Sequence, residues 1–439
     1  MKKTEILDLV GEWERAKILC QAMFAACGKT DILRTAQVES AFSGIMHKQG
    51  NNQAALEYAQ LSYEHYAKLN DLAGQCEVLG KLGDVYKENG DYKKSMELYC
   101  TQKSNALELG DHKSLIKAVR NIGIINLRQD RYAEAVKYFE EDLVLCRKTG
   151  DSYGEGLSLG NLGLALWRMG DLGKAMSHFQ KKLEISLRLG DKQSIAYALG
   201  NRGLVFYSRE EYPRALEMFQ KQLEILEIIG DQRGRANALC NISAICVNQG
   251  NFDKALNYGL KNLEVSQQTG NQGNIIRAMS SLGVTYKNMA EYEKALDCFR
   301  RSLELSRQME QPYDICFNLF SLAEIMFEAG RHGEAGELNF QALLIAEEIS
   351  DRELRYNAEV LRAKIHSGTD KTEAGKCLLA LLERYDATAE KAAIYYELYI
   401  MDGNESHRND AVCLYRELSD KTTNCRYAAR LKELEAQSQ

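Results

Sequence analysis

Proline is nearly missing from this chain: Pro213 and Pro312 are the only two in 439 residues. A proline inside a helix removes a backbone donor and clashes with the preceding turn, so its scarcity leaves helix after helix uninterrupted. Long apolar runs are missing too. No stretch of about 18 apolar residues occurs, which excludes a membrane-spanning helix. Met1-Lys2-Lys3 looks like the start of a signal peptide, but Glu5, Asp8, Glu12 and Glu14 interrupt any apolar segment behind it. The expected location is the cytoplasm, with no membrane partner. Charge of one sign does not dominate either: the 56 Lys and Arg are mixed with 62 Asp and Glu for a net charge of −6. The clustered basic footprint of a nucleic-acid binder is therefore lacking.

The signatures of catalysis and metal binding are also missing. The twelve cysteines are scattered from Cys20 to Cys425 without a C-x-x-C pair. Even Cys240 and Cys246, the closest pair, share a helix face poorly, so reduced, buried thiols are expected rather than disulfides. The seven histidines (His47, His65, His112, His178, His332, His366 and His407) are dispersed, with no i, i+4 pair and no H-E-x-x-H. No G-x-x-x-x-G-K-[ST] or G-x-S-x-G is present, and Gly-x-x-Gly pairs such as Gly80 and Gly83 fall within helical stretches, where they cradle no phosphate. No metal, cofactor or enzymatic activity is expected.

What the chain has instead is self-similarity. Ala198-Leu199-Gly200-Asn201-Arg202-Gly203-Leu204-Val205-Phe206-Tyr207 is echoed at one fixed interval, by Leu159-Gly160-Asn161-Leu162-Gly163 before it and by Leu239-Cys240-Asn241-Ile242-Ser243 after it. Val119-Arg120-Asn121-Ile122-Gly123 and Met279-Ser280-Ser281-Leu282-Gly283 extend the series at the same interval. A fixed period of about 40 residues is the mark of a solenoid, in which the chain lengthens without enlarging a single core. The register holds for eight units over residues 31–350, beginning at residues 31, 71, 111, 151, 191, 231, 271 and 311. Gly-Asp or Gly-Asn pairs such as Gly90-Asp91, Gly150-Asp151 and Gly250-Asn251 punctuate the units at their midpoints and ends. Glycine can end a helix in the left-handed conformation, and the following Asp or Asn can accept the first N–H groups of the next. Each unit is expected to be a helical hairpin.

Two segments flank these units. Residues 1–30, with Gly11-Glu12-Trp13-Glu14-Arg15-Ala16, read as an N-terminal half-repeat, either a cap or the sign of a longer protein. Residues 351–439 read as C-terminal helices over about 351–366, 371–385, 388–401, 408–419 and 423–436.

The first helix of a unit carries a Leu-x-x-Leu-Gly-like core, as in Leu79, Leu82, Gly83 and Tyr86. The second carries an early aromatic (Tyr92, Tyr132), a small residue three on (Ser95, Ala135) and another aromatic four further (Tyr99, Phe139). Glycine within a helix costs about 1 kcal/mol relative to alanine. Its return at Gly83, Gly123, Gly163, Gly203 and Gly283 therefore argues for close packing of the two helices, with the small residue of the second helix expected to fill the gap opposite. This constellation resembles the tetratricopeptide repeat. The resemblance implies an all-α fold, a right-handed superhelical solenoid of antiparallel helical hairpins. The long unit with Gly-Asp turns is similar to Pins-type scaffolds that orient the mitotic spindle, although their C-terminal G-protein-binding motifs are missing. The end of the chain resembles the closing segment of bacterial signalling proteins in which such repeats follow a cyclase or ATPase. Asp130, Glu210 and Ala290 replace loop glycines, and Ala323, Gly336 and Asn339 depart from core types, so a looser eighth hairpin is expected.

In such a solenoid the first helices line the concave surface. The residue two before the Gly-like position points toward it: Asn121, Asn161, Asn201 and Asn241, continued by Ser281 and Ser321. Amides offer a donor and an acceptor, which suits the main chain of an extended peptide; packing between helices is the competing use of the same groups. Ile124, Leu164, Leu204, Ala244 and Val284 run beside the row, with Leu127, Trp167, Tyr207, Val247 and Phe327 one turn on. Lys117, Arg120, Arg128, Arg168 and Arg202 are basic, while Glu77, Asp84 and Glu88 form an acidic group in the second unit. The expected peptide-binding set is Asn121, Asn161, Asn201 and Asn241 for the ligand backbone and Arg120, Arg128, Arg168, Trp167, Leu164, Leu204 and Tyr207 for its side chains. The expected function is a non-enzymatic scaffold or adaptor for a protein or peptide ligand with apolar and acidic residues. The alternatives are a regulatory region of a larger signalling protein and a self-assembling module; the oligomeric state is left open.

Overall fold

The computed structural model describes Arg15, residues 18–20, 22–23, 31–368 and 370–436. The half-repeat expected over residues 1–30 lies largely outside the described residues. From Ile32 onward, first and second helices alternate: α1 (Ile32–Lys48) and α2 (Asn52–Lys68), α3 (Leu72–Glu88) and α4 (Tyr92–Leu109), α5 (His112–Arg128) and α6 (Tyr132–Thr149), α7 (Ser152–Arg168) and α8 (Leu172–Leu189). These lie in one compact unit, residues 1–190. A second unit, residues 191–439, continues with α9 (Lys192–Ser208) and α10 (Tyr212–Ile229), α11 (Gln232–Asn248) and α12 (Phe252–Gln268), α13 (Gln272–Asn288) and α14 (Tyr292–Gln308), α15 (Pro312–Glu328) and α16 (His332–Glu348). It ends in α17 (Arg352–Ser367), α18 (Lys371–Arg384), α19 (Thr388–Asp402), α20 (Glu405–Lys421) and α21 (Cys425–Ala436). No strand occurs among the described residues, and the fold is an all-α solenoid of antiparallel hairpins. The last helices fall close to the expected spans. Helix α20 starts earlier than expected because Asn404 accepts the Ser406 N–H and caps it.

The turns obey the chemistry read from the sequence. Asp71, Asp91, Asp151 and Asp231 each accept an N–H from the first turn of the next helix, while Gly110 and Gly150 end their helices at φ 65° and 70°. Asp130, Glu210 and Ala290 adopt the same left-handed conformation, at φ 57°, 56° and 59°, despite their side chains. The turn geometry is thus imposed by the hairpin and is kept where glycine is absent, at the steric cost of a Cβ facing the carbonyl.

Hairpin packing rests on a size exchange between two positions. A methyl group added at Gly83, Gly123, Gly163, Gly203 or Gly283 would come within 2.5–2.8 Å of the ring of Tyr99, Phe139, Phe179, Phe219 or Phe299. All five rings are fully buried. Burying such a ring is worth roughly 1.5–3 kcal/mol, more than the helix penalty of the glycine that admits it. Where the first position carries a side chain, the second shrinks: Ser43 faces the second helix bearing Ala59, Ser243 the one bearing Gly259, and Ala323 the one bearing Asn339. The eighth hairpin is accordingly not loose. Asn339 is buried and donates to the Ala358 carbonyl at 2.9 Å, and Cys316, Leu319, Leu322, Ile325 and Ala342 form a continuous core around it.

Two alanine substitutions should therefore act in opposite directions. Gly163→Ala should lower thermal stability by about 1–3 kcal/mol through overpacking against Phe179. Gly336→Ala, with no atom within 4 Å of its added methyl, should raise it by about 0.5–1 kcal/mol. Thermal unfolding followed by circular dichroism checks both signs.

Candidate interaction groove

The repeat register carries one asparagine to the same place on each of α5, α7, α9 and α11, and all four are half-buried. Their surroundings divide them. Asn121 donates from Nδ2 to Asp84 at 3.4 Å and accepts from Lys87 Nζ at 3.5 Å. Asp84 also accepts from Lys87 and from the Tyr99 hydroxyl, both at 2.6 Å. Asn121 is thus tied into a polar cluster with the hairpin before it. Asn161, Asn201 and Asn241 make no side-chain hydrogen bond among the described residues. A change one hairpin back explains the difference: the residue corresponding to Asp84 is Ile124 before Asn161 and Leu204 before Asn241. An apolar neighbour leaves the amide with both its donor and its acceptor unspent.

The basic residues divide as well. Arg120 turns into the first unit. Its Nε and Nη2 meet Asp142 at 2.8 and 3.1 Å, and Nη2 also donates to the Gly154 carbonyl at 3.2 Å and to Cys146 Sγ at 3.4 Å. Asp142, fully buried, also accepts from the Ser158 hydroxyl at 2.6 Å, so the pair ties α5, α6 and α7 together. Burial and the Asp142 charge push the Cys146 thiol up to about 11, which keeps it protonated. Arg120, expected as a ligand contact, is instead committed to the hairpins because a buried carboxylate demands a counter-charge. Lys117, Arg128 and Arg168 are exposed and form no ion pair among the described residues; the Arg168 guanidinium lies 5.2 Å from the Trp167 ring centre. Two members of the acidic group of the second repeat are paired with lysines on their own helix. Glu77 binds Lys81 at 2.8 Å, Asp84 binds Lys87, and Glu88 faces His47 at 3.6 Å. Burial alone would raise the Glu77 carboxyl, but Lys81 and the Ser40 hydroxyl bring it below its usual range.

The aromatic and aliphatic members differ in exposure to competition. Leu164, Leu204, Trp167 and Tyr207 are all half-buried. In the second unit the Tyr207 hydroxyl accepts from Asn248 Nδ2 at 3.0 Å, and its ring meets that of Tyr212 edge-on at 5.8 Å. Burial raises the Tyr207 phenol above its usual range, with Glu353 adding to the shift. The α20–α21 turn and the start of α21 reach the same place. Asn424 Nδ2 donates to the Tyr212 hydroxyl at 3.4 Å, the Tyr427 hydroxyl donates to Glu210 at 2.7 Å, and Cys425 Sγ lies 3.7 Å from the Val247 carbonyl.

One polar row was not anticipated from the sequence. Gln102, Asp142, Lys182 and Gln222, at equivalent places on the second helices, are buried behind the first helices. A methyl group at Gly80, Gly160 or Gly200 would lie 2.5–2.8 Å from the end of Gln102, Lys182 or Gln222, so these glycines admit the long polar side chains. The signal was present in the sequence: the pairs Gly80 and Gly83, Gly160 and Gly163, and Gly200 and Gly203 are each followed, at one constant spacing, by a polar residue on the second helix of the hairpin. The second glycine takes the ring and the first takes the amide or ammonium. The Gln102 and Gln222 Oε1 atoms have no hydrogen-bond partner among the described residues.

Arg120→Ala should cost about 3–5 kcal/mol by stranding the Asp142 charge, whereas Arg128→Ala and Arg168→Ala should each change stability by less than about 0.5 kcal/mol. Chemical denaturation of the three variants checks the contrast.

Comparison with known proteins agrees with this construction. A family profile described as tetratricopeptide repeat matches residues 114–188, 158–228, 194–260 and 234–308, and a second profile of that description matches residues 77–102. No curated protein matches the chain significantly. Among solved structures, a Rap protein complexed with competence and sporulation factor is 15% identical, with a TM-score of 0.59, covering 81% of this chain and 99% of that one. A Rap conjugation gene regulator in complex with the Phr* peptide is 14% identical, with a TM-score of 0.56 and coverage of 79% and 96%. A signal-transduction ATPase with a tetratricopeptide repeat sensor from Pyrococcus horikoshii is 18% identical, with a TM-score of 0.55, covering 86% of this chain and 56% of that one. Residues 77–102 and 114–308 are tetratricopeptide repeats, and the chain belongs to the tetratricopeptide-repeat proteins.

Proposed function

We propose that this chain is a cytoplasmic, non-enzymatic scaffold that holds an extended protein segment along the first helices of its hairpins. The observation that carries the reading is the set of unspent amides. Asn161, Asn201 and Asn241 recur at one register position with donor and acceptor both unengaged, whereas Asn121 is consumed by Asp84 and Lys87. Successive residues of an extended chain rise about 3.3 Å, so amides on neighbouring first helices of one unit, about 8–10 Å apart, would each meet roughly every third residue.

Side-chain chemistry is proposed separately for each unit. In residues 1–190, Leu164 and Trp167 provide apolar contact and the unpaired Lys117, Arg128 and Arg168 favour acidic ligand groups. In residues 191–439, Leu204 and Tyr207 provide apolar contact beside Asn201 and Asn241. Two solved structures of similar fold hold a competence and sporulation factor and a Phr* peptide, which supports a peptide or protein ligand here. No cluster of metal-ligating side chains occurs among the described residues, and no helix among them is long and apolar enough to cross a membrane.

Selection from a random peptide display library tests the reading. Enriched sequences should combine acidic with aliphatic or aromatic residues, and charge reversal of a selected peptide should abolish binding. Replacing Asn201 and Asn241, both in residues 191–439, together by alanine should weaken a peptide bound there roughly 5- to 150-fold, from two lost hydrogen bonds of about 0.5–1.5 kcal/mol each. Equal affinity of the double variant, with circular dichroism unchanged, would move the working surface away from the asparagine row.

A further inference from the structure

The second unit carries a contact that its repeats do not require. Helix α21 packs against α19 and α20 through Leu434, Leu431, Tyr396, Ala411 and Tyr415, as a terminal helix should. Its first turn then continues onto elements far earlier in the chain. The Tyr427 hydroxyl donates to Glu210 at 2.7 Å, Asn424 donates to Tyr212 at 3.4 Å, and Cys425 lies over Gly250 and the Val247 carbonyl. The receiving groups lie at the α9–α10 turn and at the end of α11, beside the Tyr207–Asn248 bond.

Glu210 itself is unusual. It takes the left-handed conformation that glycine occupies at the matching turns, Gly90, Gly170 and Gly250. A residue with a Cβ gains nothing there from local geometry, but its carboxylate receives the Tyr427 hydroxyl. Ala290 adopts the same conformation without such a bond, so the turn does not depend on the contact for its shape. Arg426 lies close enough to Tyr207 and Tyr212 for its charge to act on both phenols.

We propose that the α20–α21 turn and the first turn of α21 form a latch that closes the second unit on itself and covers the Tyr207 end of its groove. A protein segment running past Asn201 and Asn241 toward Tyr207 has to displace this latch, which makes binding there conditional on latch opening. The latch is made of a few polar contacts and one thiol against backbone, with the apolar face of α21 left on α19 and α20. It can open without unpacking its own helix. A ligand that binds only the open state loses apparent affinity in proportion to the closed population.

The regulatory half of this proposal rests on the groove reading above, but the latch can be read with no ligand present. Cys425 is half-buried beneath the contact, and Cys413 on α20 is exposed. In the reduced full-length protein, alkylation by iodoacetamide, followed by peptide mapping, should modify Cys425 well below the rate of Cys413. Tyr427→Phe and Glu210→Ala each remove the hydroxyl–carboxylate bond, the first keeping the ring and the second a residue type that Ala290 shows the turn accepts. Each should accelerate Cys425 about tenfold, the scale of losing a hydrogen bond to a charged group, with Cys413 unchanged. Hydroxyl-radical footprinting of the same variants should show Tyr207 gaining reactivity in parallel. Equal rates for Cys425 and Cys413 in the native chain, or no acceleration in either variant, would overturn the latch. Acceleration of Cys425 with Tyr207 unchanged would overturn its hold over the groove. Neither result depends on whether the asparagine row binds a peptide.

Discussion

Everything in this protein depends on the contact between a small residue in the first helix of each hairpin and the side chain facing it from the second. Where glycine stands in the first helix, an aromatic ring fills the space, and both helices lie close enough for the apolar rows on either side to meet. The arrangement is satisfied in more than one way: serine opposite alanine or glycine, and alanine opposite asparagine, keep the hairpin closed in the first, sixth and eighth repeats. What recurs from repeat to repeat is a small residue in the first helix, while the residue at the facing position of the second varies from ring to asparagine, alanine or glycine. Asn339 sits in a packed core, with its Nδ2 donating to the Ala358 carbonyl.

Once that contact fixes the hairpin, the turns and the register follow, and these were the legible part of the sequence. A left-handed residue followed by Asp or Asn is a local signal, contained within a few residues, and an echo at a fixed period is visible without knowing any contact. The start of α18 was legible for the same reason, since Asp370 marks it by capping chemistry, whereas the cap at Asn404 was passed over and α20 begins earlier than expected. Even the turns lacking glycine did not mislead, because a hairpin held by its core can force Asp130, Glu210 and Ala290 into the conformation glycine would take freely.

The candidate site was legible only as positions. Sequence register puts Asn121, Asn161, Asn201 and Asn241 in one class, but the freedom of each amide is decided one hairpin back, where Asp84 captures one and aliphatic residues leave others alone. Arg120 looks like its exposed neighbours in the sequence, and nothing adjacent to it announces Asp142, buried on the next helix. The same limitation hid the second glycine row. Gly80, Gly160 and Gly200 are readable as gaps, but what enters them is set by Gln102, Lys182 and Gln222 on a different helix. Local chemistry was readable; pairing between helices was not.

The return of α21 to the α9–α10 turn is the extreme case, with Tyr427 and Glu210 separated by 217 positions. Its physical consequence reaches beyond the side chains involved. In an open array each repeat is stabilised only by its neighbours, so terminal elements fray first and independently. A contact between the last helix and the first hairpins of the same unit removes that independence, because opening at either end now breaks bonds held by the other. Residues 191–439 therefore resist fraying as a closed set of hairpins. The weakest link in that set is the one made by Asn424, Cys425 and Tyr427, whose partners are polar groups and backbone rather than a shared apolar core.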